Sequence, residues 1–185
     1  LEQKTVGHND HVIIIGYGIS GQLLSSSLRT LSIETVVLEM NSDNVTLGRE
    51  KGDPVFYADA TSEEALGHAH LESARAVVVM INDHGATERV LATIDRLQVN
   101  VPIFVRTQYM IGVEDFNKFN PAGVVACEVE GGLEVLSRVL RKLEVPRNLI
   151  IREIDHARSQ TMYSDREFKE DALPMRDHKE LKDLT

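Results

Sequence analysis

The chain has 185 residues, 42% of them hydrophobic, and a formal net charge of −9 at pH 7. This length suits one domain with an added element or two small domains, and the apolar content is enough for a core. A chain this acidic lacks the basic face that nucleic-acid binding needs, so we expect no nucleic-acid partner. No apolar run approaches the ~18 residues that span a bilayer and no signal-peptide pattern opens the chain. We expect the fragment itself to be soluble, which is compatible with a soluble piece of a membrane protein.

Cysteine and histidine usage gives no sign of a disulfide or a metal site. Cys127 is the single cysteine, which excludes an internal disulfide and suits a reducing compartment. His68 and His70 are two positions apart and would diverge on a helix instead of sharing an ion. We therefore predict that the chain binds no metal.

The predicted elements alternate between strand and helix. Strands are predicted over 12–15, 34–39, 55–57, 76–81, 101–106 and 123–126, and helices over 19–31, 41–51, 62–68, 83–97 and 109–119. This rhythm predicts an α/β, Rossmann-type fold with a doubly wound parallel six-stranded sheet, strand order 3-2-1-4-5-6 and right-handed crossovers. Residues 1–10 are expected to be a linker and residues 11–145 the nucleotide-binding domain.

The helix after the last strand has a short heptad pattern. Its apolar positions are Val129, Leu133, Leu136, Leu140 and Leu143, spaced 4-3-4-3. One reading is that this face packs on the sheet. Val135 and Val139 widen the apolar surface, however, so a contact shared between two copies of the chain is an equal alternative.

The last segment, 146–185, is expected to hold a further helix and a charged tail. Pro146 suits the first turn of this helix, and an apolar stripe of Ile150, Ile154 and Ala157 reaches to about Gln160. Beyond residue 164 the sequence is dense in mixed charge, with 173–175 as its only apolar group. This tail is read as a solvated helix or a partly disordered arm.

The organising motif is the glycine-rich turn Gly16-x-Gly18-x-x-Gly21 after the first strand. Gly16 makes the tight bend, Gly18 lets the backbone approach a pyrophosphate, and Gly21 lets the helix pack close to the strand. The helix N-terminus behind the turn presents unpaired amides and a partial positive charge to an anion. The turn therefore predicts binding of a dinucleotide or a mononucleotide.

Acidic residues follow the second and third strands. Glu39 lies close to the expected spacing of about 20 residues, where a carboxylate grips the ribose hydroxyls of adenosine and repels a 2′-phosphate. This favours NAD or AMP over NADP; the alternative is a solvated surface acid. Asp59, Ala60 and Thr61 would flank the adenine. Thr61 also begins a capping box with Glu64 and is the predicted N-cap of the next helix.

Asn82 and Arg106 follow strands 4 and 5 at the same edge of the sheet, where open α/β sheets bind their ligands. Asp83 is predicted to cap the next helix, which leaves Asn82 to reach the ligand. Arg106 is either a forked phosphate contact or an ordinary surface arginine, and Glu128 is placed to pair with it.

The sequence shows no catalytic machinery beside this pocket. A dehydrogenase needs an acid–base residue and a substrate site, yet none of the four tyrosines is followed by the lysine of a Tyr-x-x-x-Lys pair. The segment after residue 126 is too short for a substrate domain. We predict a nucleotide-dependent switch and not an enzyme. The alternatives are a soluble NAD-dependent oxidoreductase, or a subunit of one, and a dimerisation module with an empty pocket.

Four segments in combination resemble the nucleotide-binding domain that regulates potassium transport, called RCK, KTN or TrkA-N. They are 12–21, 36–39, 55–61 and 70–79, and Arg106 matches the arginine at the end of that family's fifth strand. The resemblance covers about 9–145. The nucleotide-binding residues predicted from the motifs and this resemblance are Gly16, Tyr17, Gly18, Ile19, Ser20, Gly21, Glu39, Met40, Asp59, Ala60, Thr61, Ile81, Asn82 and Arg106.

Within that family the chain is most similar to the cytosolic C-terminal domain of Kef-type cation/proton antiporters, where a further helix and a charged tail follow the nucleotide domain. The resemblance implies a homodimer that binds AMP or NAD(H). It implies that the dimer gates a membrane-embedded potassium/proton antiporter domain of the same polypeptide at the cytoplasmic face of the inner membrane. An ancillary subunit is a further implied partner.

One subgroup of these antiporters is controlled by glutathione. Its glycine turn carries an arginine where this chain has Ile19, and its strand-5 end reads Arg-x-Arg where this chain has Arg106-Thr107-Gln108. These departures remove positive charge that would hold the glutathione carboxylates. We therefore expect no glutathione control.

Overall fold

The computed structural model describes residues 9–162, with side chains described to residue 160. The strands are β1 Val12–Ile15, β2 Thr35–Glu39, β3 Val55–Tyr57, β4 Ala76–Val79, β5 Ile103–Thr107 and β6 Gly123–Ala126. The helices are α1 Ile19–Thr30, α2 Ser42–Glu50, α3 Glu63–His68, α4 His84–Arg96, α5 Ile111–Asn117, α6 Cys127–Lys142 and α7 Arg147–Met162. Most of the predicted linker and the predicted charged tail, 1–8 and 163–185, lie outside the described residues.

The six strands form one parallel sheet in the order β3-β2-β1-β4-β5-β6, which confirms the predicted fold class. The central strand β1 pairs on both sides, so that Ile13 lies opposite Val36 on one side and Val77 on the other. The order of the strands reverses between β1 and β4. Ligands of such sheets bind at this switch point, beyond the carboxyl ends of the strands.

The core forms on both faces of β1, because a central parallel strand has to be covered on each side. Ile13 and Ile14 are both fully buried, although they point to opposite faces. On the face of Ile14, the residues that pack together come from β1, β2, β3, α1 and α2. They are Val12, Ile14, Tyr17, Val37, Val45 and Val55, with Leu24 and Leu28 at the edge.

The predicted and observed bounds agree within one residue except at the end of β4, at both ends of α5 and at the start of β5, which is Ile103 instead of residue 101. β4 was predicted to reach residue 81 but ends at Val79, although the Met80 N–H still donates to the Ile15 carbonyl of β1 at 2.8 Å. Helix α5 was predicted over 109–119 but is shorter, Ile111–Asn117. The residues before it form a turn in which the Met110 N–H donates to the Glu128 carboxylate.

Side chains cap three of the helices that follow strands. Asn41 accepts N–H bonds at the start of α2, and Asp83 caps α4, as predicted. The prediction that Thr61 caps α3 is wrong, because the N-cap is Ser62, whose Oγ accepts from the Ala65 N–H at 3.5 Å. The Thr61 hydroxyl is used instead by the Asp59 carboxylate.

Replacing the Asp83 cap by alanine is expected to lower the free energy of unfolding by about 1 kcal/mol, because the Ala86 N–H then loses its acceptor. Urea unfolding of the two proteins measures the difference. Asp95→Ala, in the last turn of the same helix, removes the same charge from the opposite pole of the helix dipole and should cost nothing. Equal losses for the two variants would show that the cap contributes little.

The described residues fall into two compact units, one ending at Gly131 and the other starting at Gly132. In the second unit Leu133 and Ile150 are buried, and Leu136, Leu140, Ile154 and Ala157 are half-buried. Val135, Val139 and Leu143 are largely exposed. The two helices predicted after the last strand are both present, as α6 and α7. No helix of residues 9–162 is long and apolar enough to cross a membrane.

Candidate nucleotide-binding site

The glycine-rich turn between β1 and α1 has the geometry that its three glycines predict. Gly16 has φ +101°, and a Cβ there would lie 2.9 Å from the Ile81 side chain. A Cβ on Gly21 would lie 2.0 Å from the Gly16 carbonyl oxygen, so only glycine permits α1 to begin this close to the strand. Gly18 is different, because a Cβ there would meet nothing within 4 Å. Gly18 therefore faces open space at the mouth of the turn.

The N-terminus of α1 lacks the side-chain cap that α2, α3 and α4 have. Its N-cap residue is Gly18, no side chain accepts from its first amides, and its first turn holds no acid. The first N–H groups of a helix have no partner inside it, and the helix dipole adds a partial positive charge there. The exposed Ile19 and half-buried Ser20 lie on this first turn. The arrangement suits an anion bound by main-chain amides.

Glu39 is fixed beside this turn at the end of β2. Its Oε2 accepts the Tyr17 N–H at 2.6 Å and its Oε1 accepts the Asn41 N–H at 2.7 Å, while the Asn44 side-chain amide lies 3.4 Å from Oε2. A carboxylate has about four lone-pair positions. Three donors already occupy it, so Glu39 retains room for about one further hydrogen bond, such as one from a hydroxyl group, while it holds the turn against the end of β2.

Tyr17 contributes to this site through its backbone alone. Its side chain is fully buried, and its hydroxyl donates to the Asp53 carboxylate beneath the turn. Burial and this bond raise the pKa of the Tyr17 phenol above its usual value. The prediction of Tyr17 as a binding residue therefore fits only its main-chain atoms.

The segment after β3 forms a tight turn. The Asp59 Oδ1 accepts the Thr61 N–H at 2.9 Å and the Thr61 hydroxyl at 2.8 Å. The Thr61 N–H and hydroxyl lower the pKa of the Asp59 carboxyl. Ala60 is buried, whereas Met40 beyond β2 is exposed. The side chains of Asp59 and Thr61 are thus engaged with each other.

Arg106 and Asn82 are brought together at the ends of β5 and β4, as predicted. The Arg106 guanidinium donates to the Asn82 side-chain oxygen and, at 3.2 Å, to the Gln108 side-chain oxygen. The predicted pairing of Arg106 with Glu128 is wrong, because Glu128 accepts the Met110 N–H instead. Both partners of Arg106 are neutral amides. Within residues 9–162 no carboxylate forms an ion pair with it, so its charge is available to an anion.

A cavity of about 130 Å³ lies between the ends of β4 and β5 and the helices α4 and α5. Asn82, Arg106 and Gln108 line its polar side. His84 and Phe116 also line it, with their rings stacked at 4.7 Å between centroids, and the His84 Nε2 lies 3.1 Å from the Asp115 carboxylate. The predicted Ile81 also lines it, and the Ile81 side chain is the group that a Cβ added at Gly16 would meet first.

Sequence patterns missed His84, Gln108 and Phe116 as lining residues of this cavity and Asp53 as the partner of Tyr17. Asp53 lies in a Gly-Asp-Pro sequence that predicts a turn, and Asp is common in turns, so the pattern indicated no contact with Tyr17. No spacing signal connects a residue of one turn to a residue 36 positions away. In the described part of the chain, no group of three or more His, Cys, Asp or Glu is placed to hold a metal ion.

A parallel sheet with order 3-2-1-4-5-6 and a glycine-rich turn at its switch point defines a Rossmann-type domain. The model of the TrkA-N domain matches residues 12–126. The chain therefore belongs to the TrkA-N domain family.

Its relatives include membrane transporters. The chain is 31% identical over 159 residues to the chloroplastic K(+) efflux antiporter 1 of Arabidopsis thaliana. The aligned region covers 86% of this chain and 13% of that protein. The chain is 30% identical over 140 residues to the putative K(+) efflux antiporter KefB of Alkalimonas amylolytica, covering 76% of this chain and 21% of that protein. The chain thus spans a small part of these transporters' length.

Solved structures share the fold. The TrkA-N domain of the inner membrane protein ybaL from Escherichia coli is 27% identical with a TM-score of 0.64, covering 75% of this chain and 98% of that one. The Shewanella denitrificans Kef C-terminal domain in its AMP-bound form has a TM-score of 0.73 at 17% identity, covering 84% and 94%. The GsuK channel bound to NAD has a TM-score of 0.62 at 20% identity, covering 73% and 24%.

Proposed function

We propose that this chain is the cytosolic regulatory domain of a monovalent cation (potassium)/proton antiporter and that it binds AMP or NAD(H) without transforming it. The observation that carries the proposal is the uncapped N-terminus of α1, which opens onto the free space at Gly18 with Glu39 beside it. The phosphate of one nucleotide would bind the first-turn amides of α1 while its ribose binds the Glu39 carboxylate, so a single ligand would engage both parts of the site.

The proposed ligand contacts follow the predicted residues, with changes that the geometry suggests. Main-chain atoms of 16–21 hold the phosphate, Glu39 accepts from the ribose, and the backbone of Met40 and of 59–61 borders the adenine. Arg106 and Asn82 lie towards the phosphate, beside Ile81. A 2′-phosphate would meet the Glu39 carboxylate, so NADP is disfavoured.

The K(+) efflux antiporter relatives, which are several times longer than this chain, support a role as one part of a transporter. In this proposal residues 11–145 are the nucleotide-binding domain, and 146–185 are a C-terminal helix and charged tail. The domain works as a homodimer on the cytoplasmic face of the inner membrane, attached to a membrane-embedded transport domain. A nucleotide can gate transport only if it binds two arrangements of the dimer with different affinity.

Calorimetry with AMP, NAD, NADH and NADPH, followed by recovery of each ligand, tests the binding part of the proposal. We expect AMP or NADH to bind at one site per chain, NADPH to bind more weakly, and every ligand to be recovered unchanged. No binding by any of the four would refute the proposal. Turnover of NADH with a panel of carbonyl compounds would favour an oxidoreductase instead.

Arg106→Gln is expected to weaken AMP binding about tenfold and to leave the weaker binding of adenosine unchanged, because a charge-assisted bond to phosphate is worth roughly 1.5–3 kcal/mol. Titration of both ligands against both proteins measures the difference. Arg96→Gln is the matched control, since Arg96 pairs with Glu63 at the far end of α4. Equal effects of the Arg106 change on AMP and adenosine would exclude a phosphate contact.

A further inference from the structure

A buried hydrogen-bond network lies beneath the glycine turn, outside the proposed ligand contacts. The Asp53 side chain is only 2% exposed. Its Oδ2 accepts the Tyr17 hydroxyl, and its Oδ1 accepts the Arg29 guanidinium at 2.7 Å. The same guanidinium nitrogen donates to the Lys51 carbonyl at 2.9 Å. The network thus joins the glycine turn to the turn between α2 and β3.

The Tyr17 ring reaches Asp53 through a slot that a glycine leaves open. A Cβ on Gly48, in α2, would lie 2.9 Å from the Tyr17 ring and 2.4 Å from the Val55 side chain. The Asp53 N–H in turn donates to the Gly48 carbonyl at 2.9 Å. The ring is therefore enclosed by packing and fixed at its far end by a hydrogen bond.

The main chain of Tyr17 is held as firmly as its side chain. Its N–H donates to Glu39 at 2.6 Å and its carbonyl accepts the Gln22 side-chain amide at 3.2 Å. Lys51 in turn donates to the Gln22 side-chain oxygen at 2.8 Å. Because Tyr17 stands between Gly16 and Gly18, any rotation of this residue moves the amides that follow it.

We propose that Tyr17 and Asp53 are positioning residues, which hold the glycine turn in the conformation that binds phosphate. The proposal rests on the proposed function, since it assigns the source of the turn's pre-organisation. A preformed site avoids the free-energy cost of ordering the turn on binding. A buried pair with Arg29 beside it is suited to this task, because removing one partner leaves a buried polar group unsatisfied.

The test compares Tyr17→Phe and Asp53→Asn in the 185-residue chain with two controls of the core. Ile94→Val and Val90→Ala remove buried methyl groups from α4, and so lower the melting temperature without touching the network. We expect each network variant to weaken AMP binding about tenfold and the double variant to lose little more, because residues of one network are coupled. The controls should bind AMP like the unchanged chain at temperatures where all are folded.

A second readout needs no nucleotide. In the free protein, amide hydrogen exchange at Gly18, Ile19 and Ser20 should be faster in Tyr17→Phe than in either control. If Asp53→Asn does not fold, Tyr17→Phe alone carries the test, because it removes the hydroxyl and leaves Asp53 paired with Arg29. Unchanged affinity and exchange in the network variants, or losses equal to those of the controls, would overturn the proposal. Failure of the unchanged chain to bind any nucleotide would refute the proposed function, while the exchange rates still decide the positioning role.

Discussion

Gly18→Ala is expected to weaken AMP binding about hundredfold while the free protein stays as stable as before. The backbone of Gly18 has φ −67° and a Cβ there meets nothing within 4 Å, so alanine fits the free protein without strain. In the complex, the methyl group would occupy the space through which phosphate reaches the first amides of α1. Loss of one or two bonds to a charged group, each worth roughly 1.5–3 kcal/mol, gives an effect of this size.

Calorimetric titration with AMP and thermal unfolding of the free protein measure the two halves of this prediction. Gly67→Ala is the matched control, because a Cβ at Gly67 also has no atom within 4 Å but lies on α3, outside the glycine turn. Gly21→Ala provides the contrast, since its Cβ would lie 2.0 Å from the Gly16 oxygen and should destabilise the fold by about 3 kcal/mol. Unchanged AMP affinity in Gly18→Ala would place the ligand elsewhere.

Glu39→Ala is expected to weaken AMP and NADH binding about hundredfold and to weaken NADPH binding far less. The carboxylate would accept a hydrogen bond from the ribose of the first two ligands and would repel the 2′-phosphate of the third. The free energy of unfolding should also fall by about 1–2 kcal/mol, because the N–H groups of Tyr17 and Asn41 lose their acceptor.

Comparing the three affinities in Glu39→Ala separates binding from stability, since a general loss of structure would weaken all of them alike. Asp43→Ala is the control for charge, because Asp43 lies in the first turn of the neighbouring α2 and accepts no bond from the glycine turn. A parallel loss for NADH and NADPH would show that Glu39 acts only by holding the turn.

The sequence predicted the elements that local patterns control. The apolar run 12–15 and the three glycines after it each impose a steric condition, and the strand order follows from the βαβ rhythm. The third and sixth strands were predicted to the residue, because turn signals bound them closely. The predicted cap at Asp83 also depends on adjacent residues alone.

Predictions of side-chain contacts were wrong where a side chain had more than one possible hydrogen-bond partner. Serine and threonine are both good N-cap residues. Ser62 caps α3, because the Thr61 hydroxyl donates to the Asp59 carboxylate instead. Arg106 and Glu128 have opposite charges at neighbouring strand ends, yet Glu128 instead accepts the Met110 N–H. The Tyr17–Asp53 contact joins two turns that only the folded sheet brings together, so no local pattern carries it.

The most direct test of the account follows the backbone amide resonances of the 185-residue chain during titration with AMP. We expect saturable shifts that are largest at Gly18, Ile19, Ser20 and Gly21, with AMP recovered unchanged at the end. Saturation with the shifts confined to other parts of the sheet, or no saturable shift at all, would contradict it.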